Sequence, residues 1–204
     1  MVYKGLHNQT YEFVRCCVRS ELKSGNAKMR PMISEEYLKA QIELHKNPAY
    51  GVASLSYAPI VKDLFTQIGG RSISDYGAGK CNLKKALLNL GLTSFAYFPY
   101  DPVFPEYGPP MPADLVCCID VLEHIEHEFI DNVIGQLSEI TVNFGFFTIA
   151  TGPAVKSLPD GRNAHLIQKP SSWWLPKLVP YFEVQHLQTE GSHGFWTVLT
   201  PIRK

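Results

Sequence analysis

Residues 71–82, RSISDYGAGKCN, decide the fold of this chain. Arg71 to Tyr76 reads as a short strand that delivers Asp75 into a turn carrying Gly77 and Gly79. NLKKALLNLG follows, with Leu83, Ala86, Leu87 and Leu90 at helical spacing and Gly91 placed to stop the helix. A strand, a glycine turn and a helix in that order are the first half of a βαβ unit, and such units bind ligands where the strand ends and the helix begins.

The spacing of the turn narrows the ligand. A dinucleotide fingerprint, G-x-G-x-x-G, would need glycine at Asn82, and a phosphate-cradling G-x-x-x-x-G-K-[ST] is absent too. What stands there is D-x-G-x-G-x-C, which resembles motif I of the class I S-adenosylmethionine-dependent methyltransferases, D/E-x-G-x-G-x-G. The resemblance implies that Asp75, Gly77 and Gly79 hold S-adenosylmethionine. Glycine lets the main chain approach an uncharged adenosyl group with no Cβ in the way, and Asp75 orients amides or water near the ligand's amino group. Cys81 occupies the place of the third glycine.

Downstream, TSFAYFPYD reads as a second strand, with Asp101 26 residues after Asp75. A carboxylate at that strand end can accept hydrogens from both ribose hydroxyls; the plainer reading is a turn aspartate before Pro102. Between Asp101 and Asp114 lie only twelve residues, five of them proline, too few for a helix and another strand. Extended, that linker reaches up to about 40 Å, enough to pass directly to the next strand position. The expected sheet is therefore an α/β, Rossmann-like class I methyltransferase sheet without its usual strand three, with Tyr107 or the proline loop filling the adenine side.

ADLVCCIDVLEHIEHEF is the second informative stretch. Leu115 to Ile119 is a continuous apolar run, as in a strand buried on both faces. Asp120 ends it, and a helix through Ile125, Phe129, Ile130, Val133, Ile134, Leu137 and Ile140 is expected. D-V-L-E-H-I resembles motif IV of small-molecule methyltransferases and matches neither DNA-base signature of the fold. Asp120 is thereby expected to border the methionine part of the cofactor. Residues 143–151 read as the next strand, followed by a loop at the ligand-binding edge in which Arg162, His165 and Trp173 are candidate acceptor contacts, Trp173 opening a short helix or lid. FEVQHLQ and FWTVLTPI alternate as a closing antiparallel hairpin. The resemblance covers roughly residues 50–204, and extends to uncharacterised methyltransferase-like proteins of tailed phages.

Methyl transfer from a sulfonium needs an aligned nucleophile and a group to take its proton. His165 and His124 are the candidate bases. Asp120, Glu123 and His124 also form D-x-x-E-H, similar to the E-x-x-E-H metal site of ubiquinone-pathway O-methyltransferases and of small-RNA ribose methyltransferases, with His165 placed to complete it. These oxygen and imidazole donors suit a divalent ion. The same residues serve as plain hydrogen-bonding groups in metal-free relatives. The leading expectation is methyl transfer to oxygen or nitrogen of a small-molecule acceptor. The alternatives are a nucleotide or nucleic-acid methyltransferase and a non-catalytic scaffold on the cofactor fold.

Upstream, Lys4, Arg15, Arg19, Lys23, Lys28 and Arg30 outnumber Glu12 and Glu21 around a helix expected at Tyr11 to Leu22. It reads either as a packed helix or as a basic arm for an anionic partner. Residues 1–33 are assigned to this extension and 34–204 to the cofactor-binding domain. Helices are expected from Ser34 and near Ser56, with Tyr50 and Tyr57 as cofactor neighbours by the resemblance. Formal charge sums to zero over 204 residues, so no global basic field draws nucleic acid. Five cysteines, four in adjacent pairs, fit neither a disulfide framework nor a zinc spacing. No membrane span or signal peptide is legible, and the expected location is cytoplasmic.

Overall fold

A computed structural model describes residues 31–203 of the chain. The helix expected at Tyr11 to Leu22, and the basic arm it would form, lie outside these residues.

The first described element is α1, Glu35–His45, started by Ser34, whose Oγ accepts from Tyr37 N at 3.1 Å, with Glu35 and Glu36 in the first turn. α2, Ser54–Gln67, begins two residues before the expected Ser56, and no side chain caps it. β1, Ser72–Tyr76, then leads through the glycine turn into α3, Asn82–Asn89. β2, Ala96–Tyr100, is joined to β3, Ala113–Ile119, by the proline-rich linker, which holds one 3-10 turn at Pro105–Tyr107 and no strand. β4 is Thr141–Ala150, β5 Phe182–Thr189 and β6 Gly194–Pro201.

The six strands lie in the order β2-β1-β3-β4-β6-β5. β2, β1, β3 and β4 are mutually parallel, and β6 runs antiparallel to both β4 and β5. The short linker therefore enforces what its length allows, a direct step from β2 across β1 to β3, leaving β2 as an edge strand. Pro99 suits that position because it has no N–H to pair.

Alternating residues of the central strands feed two cores. Ile73, Leu115, Cys117 and Phe146 pack under α2 and α3 with Val61, Leu83 and Leu87. Val116, Cys118, Phe147 and Ile149 face α4, Ile130–Ile140, and α5, Ser171–Leu178. α4 starts later than its apolar spacing suggests. Leu122–His124 forms a 3-10 turn, and Ile125 is already extended. The reason is local: Glu123 Oε1 accepts from Ala150 N, and His124 Nδ1 bonds Ala164 O, so both side chains hold this turn against neighbouring segments. α5 is not a lid either. Trp174 and Leu178 are fully buried in the core, and Lys177 pairs with Asp131 of α4 at 2.8 Å.

Candidate functional site

Because β1, β2, β3 and β4 are parallel, their carboxyl ends share one edge. β1 pairs Tyr76 with Tyr100 of β2 and with Cys118 of β3. The turns after these strands therefore bring Gly77, Asp101 and Asp120 to the same rim, as expected of an open α/β sheet. There they line one cavity of about 800 Å³, roofed by α1 and the loop after it.

The glycine turn is locked by the main chain of β2. Gly77 N and Ala78 N both donate to Tyr100 O, at 2.8 and 2.9 Å, tying the turn to the end of β2. Gly77 has φ +79°, and a Cβ there would stand 2.3 Å from Val121 Cγ2. Asp101 is buried, and its carboxylate accepts from Gly79 N through Oδ2 and from Val103 N through Oδ1, each at 2.9 Å. Each oxygen keeps acceptor capacity toward the cavity. Asp75 lies deeper, with its carboxylate accepting from the Tyr97 hydroxyl. Burial pushes the Asp75 carboxyl up to about 7, against the opposing effect of the Tyr97 hydrogen bond.

Across the cavity, Asp120 sits at φ +58°, with its N–H donated to Thr148 Oγ1. His124 Nδ1 lies 2.7 Å from Ala164 O, and His165 Nδ1 lies 2.7 Å from Gly152 O. Carbonyl oxygens only accept, so both rings donate from Nδ1, which leaves Nε2 as the atom on the Asp120 side. The two Nε2 atoms stand 4.0 and 3.9 Å from the Asp120 carboxylate. Burial pushes His124 down to about 4, although Asp120 pulls the other way. One donor atom from each of Asp120, His124 and His165 falls within 4.8 Å of the others. An oxygen and two imidazole nitrogens, each ring oriented by a backbone carbonyl, fit a divalent ion such as manganese or zinc.

No protein-family profile matches the sequence, and no curated protein matches it. Solved structures do. The chain superposes on the 1,6-didemethyltoxoflavin-N1-methyltransferase of Burkholderia thailandensis, solved with bound 1,6-didemethyltoxoflavin and S-adenosylhomocysteine, with a TM-score of 0.54 at 13% identity, covering 99% of this chain and 94% of that one. The DhpI–SAH complex gives 0.53 at 12% identity over 84% of this chain and 100% of that one. The pyocyanin biosynthetic protein PhzM gives 0.53 at 15% over 94% and 68%. The fold is the class I methyltransferase fold.

Within that fold the structure gathers Asp75, Gly77, Gly79, Asp101, Asp120, His124 and His165 around the cavity. It does not bring Glu123, Arg162, Trp173 or Tyr57 there. Glu123 is fully buried behind Asp120, with Oε1 on Ala150 N at 2.5 Å and Oε2 unpartnered, and burial with the Asp120 charge holds its carboxyl well above the usual range. It is outside the group of converging donors. Arg162 is exposed and paired with Asp160 at 2.7 Å, because the Asp-Gly-Arg turn folds the guanidinium back on itself. Trp173 packs on the core beside Trp174, with Lys177 over its ring. Tyr50 lines the cavity, whereas Tyr57 donates to Glu190 Oε2 at 2.7 Å outside it.

Among the lining residues that went unmarked in the sequence are Gln41 and His45 of α1, Lys156 and His193. For the first two a signal exists. Tyr37, Gln41 and His45 recur every fourth residue, so one helical face carries only hydrogen-bonding side chains.

Proposed function

We propose that the chain is an S-adenosylmethionine-dependent methyltransferase acting on oxygen or nitrogen of a small molecule. The observation that carries this reading is that a fixed carboxylate on a glycine turn and two oriented imidazoles share a single cavity. Asp101 would take the ribose hydroxyls and the Gly77–Gly79 main chain would lie against the cofactor. Asp75 and Asp120 would flank its methionine part. A cavity of this size holds a cofactor together with a metabolite-sized acceptor.

In the transfer step the acceptor attacks the methyl carbon in line with the C–S bond. The new C–O or C–N bond forms as the C–S pair passes to sulfur, leaving S-adenosylhomocysteine. The acceptor's proton goes to an imidazole. His165 Nε2 would take it, with Asp120 Oδ1 at 3.9 Å stabilising the imidazolium formed. The Nδ1–H···O=C bond to Gly152 keeps Nε2 on the Asp120 side.

A second reading is favoured by the convergence of Asp120, His124 and His165, which would hold a divalent ion. Such an ion lowers the pKa of a hydroxyl bound to it. Manganese or zinc raising the thermal midpoint of the wild type, but not of His165→Ala, supports the ion; no shift removes it. Methyltransferase activity itself is tested by incubating the protein with S-adenosylmethionine labelled on the methyl group and a metabolite extract. A labelled small molecule appearing together with S-adenosylhomocysteine supports the reading.

A further inference from the structure

The segment after β4 folds back on itself around Pro159, Asp160 and Gly161, where Gly161 takes φ +87°. Leu158 N donates to Arg162 O at 2.7 Å, Ser157 and Asn163 form an antiparallel bridge, and Ala164 N donates to Lys156 O at 3.0 Å. The side chain of Asn163 locks the open end of this hairpin. Its Oδ1 accepts from both Ala154 N and His165 N, and its Nδ2 donates to Ala154 O. Lys156 therefore sits opposite Ala164, the neighbour of His165, and one braced hairpin carries both side chains.

Among the described residues, Lys156 is the one lysine or arginine that lines the cavity. Its ammonium reaches the facing wall: Nζ donates to Ala49 O at 3.0 Å and lies 5.2 Å from the centre of the Tyr50 ring, and Ala49 and Tyr50 line the same cavity. An ammonium has three N–H bonds to give, and the carbonyl of Ala49 takes one. No ion pair among the described residues includes Lys156. A positive charge at a cavity wall with donors left over and no counter-charge is a place for an anion. The kind of anion follows from the rest of the lining. Asp101 and Asp120 repel a doubly charged group such as a phosphate more than a singly charged one. Val52 and Val155, both exposed, add apolar surface to the same cavity. A single carboxylate on a molecule that is otherwise largely apolar meets both conditions.

We infer that the methyl acceptor is a carboxylic acid held by Lys156: its carboxylate accepts from the remaining N–H bonds of Nζ, which brings the oxygen or nitrogen to be methylated toward His165 on the same hairpin. The inference rests on the methyltransferase reading and gives that reading a substrate class. The methyl group goes to the hydroxyl or amine, the proton lost there goes to His165, and the carboxylate stays ionised throughout.

The test uses methyl-labelled S-adenosylmethionine and a metabolite extract, freed of polymers and split on an anion-exchange resin into retained and unretained fractions. The wild type should label a product from the retained fraction, and should still do so after that fraction has been treated with phosphatase. Lys156→Met keeps the stem and loses the charge. It should label the same product about tenfold more slowly at a low amount of the fraction, with the deficit shrinking as more is added, because the lysine binds and does not react. Calorimetry should give S-adenosylhomocysteine the same affinity for both proteins. No labelling from the retained fraction, labelling lost after phosphatase, or a wild-type rate in Lys156→Met overturns the carboxylate acceptor. A parallel fall in cofactor affinity also overturns it, since the lysine then serves the cofactor's own carboxylate. The wild-type arms decide even if the variant misfolds. A wild type that gives no heat with S-adenosylhomocysteine overturns the methyltransferase reading and this inference together.

Discussion

Gly77 and Val121 meet across the rim of the sheet so closely that a Cβ on Gly77 would stand 2.3 Å from Val121 Cγ2. The turn after β1 and the turn after β3 are thus packed as one unit, and one rim of the cavity is set by a contact next to Asp120. Gly77→Ala adds this clash to a left-handed backbone at φ +79°. The expected loss of stability is about 2–4 kcal/mol, read by denaturant unfolding. Adding Val121→Ala should recover only the steric part, so a double variant as stable as wild type would contradict the assigned strain.

Cys81 is the opposite case. It holds φ +54° at the start of α3, where the resembled motif has glycine. Cys81→Gly should remove that strain and stabilise the protein by up to about 1 kcal/mol, seen as a raised thermal midpoint. An unchanged or lower midpoint would mean that the cysteine side chain contributes packing that outweighs its backbone.

Asp75 should cost stability at neutral pH. Its folded-state carboxyl titrates at about 7, above the unfolded value of 3.8, so the unfolded chain releases the proton first as pH rises. The stability attached to the protonated form is complete below about pH 4 and is lost between there and about pH 7. Asp75→Asn, which still accepts from the Tyr97 hydroxyl, should therefore be more stable than wild type at pH 8, on the order of 2–4 kcal/mol, with the gap narrowing toward pH 5. Thermal melts at both pH values check this; a gap independent of pH would contradict the burial argument.

His165 should separate chemistry from binding. His165→Ala is expected to lower kcat by about a hundredfold or more while the affinity for S-adenosylhomocysteine stays near wild type. Equal losses in cofactor affinity and kcat would assign the ring to cofactor binding instead.

Much of this architecture was legible in the chain itself. RSISDYGAGKCN specifies strand, turn and helix through local chemistry, and twelve residues with five prolines have no length for a further strand, so the sheet's missing member could be read by counting. Asp101 and Asp120 follow strands, a position that topology alone carries to the rim of the cavity. What failed were orientations. Arg162 follows Asp160 by two residues, and the ion pair between them takes the guanidinium away from the cavity. Glu123 and His124 are neighbours in a 3-10 turn and point to different places, which a spacing pattern written for one site does not distinguish. The α1 stripe was hidden for a different reason. A row of polar residues on a helix looks the same whether it faces solvent or a cavity, and only the packing of Tyr37 and Gln41 against Tyr50 shows the latter.

The ribose role proposed for Asp101 depends on its carboxylate being held at the cavity by the Gly79 and Val103 amides. Calorimetric titration of S-adenosylhomocysteine into wild type and Asp101→Ala tests it most directly. Saturable one-site binding by the wild type and at least a tenfold loss in the variant are predicted. Equal affinity in the two proteins, or no binding by the wild type, would contradict it.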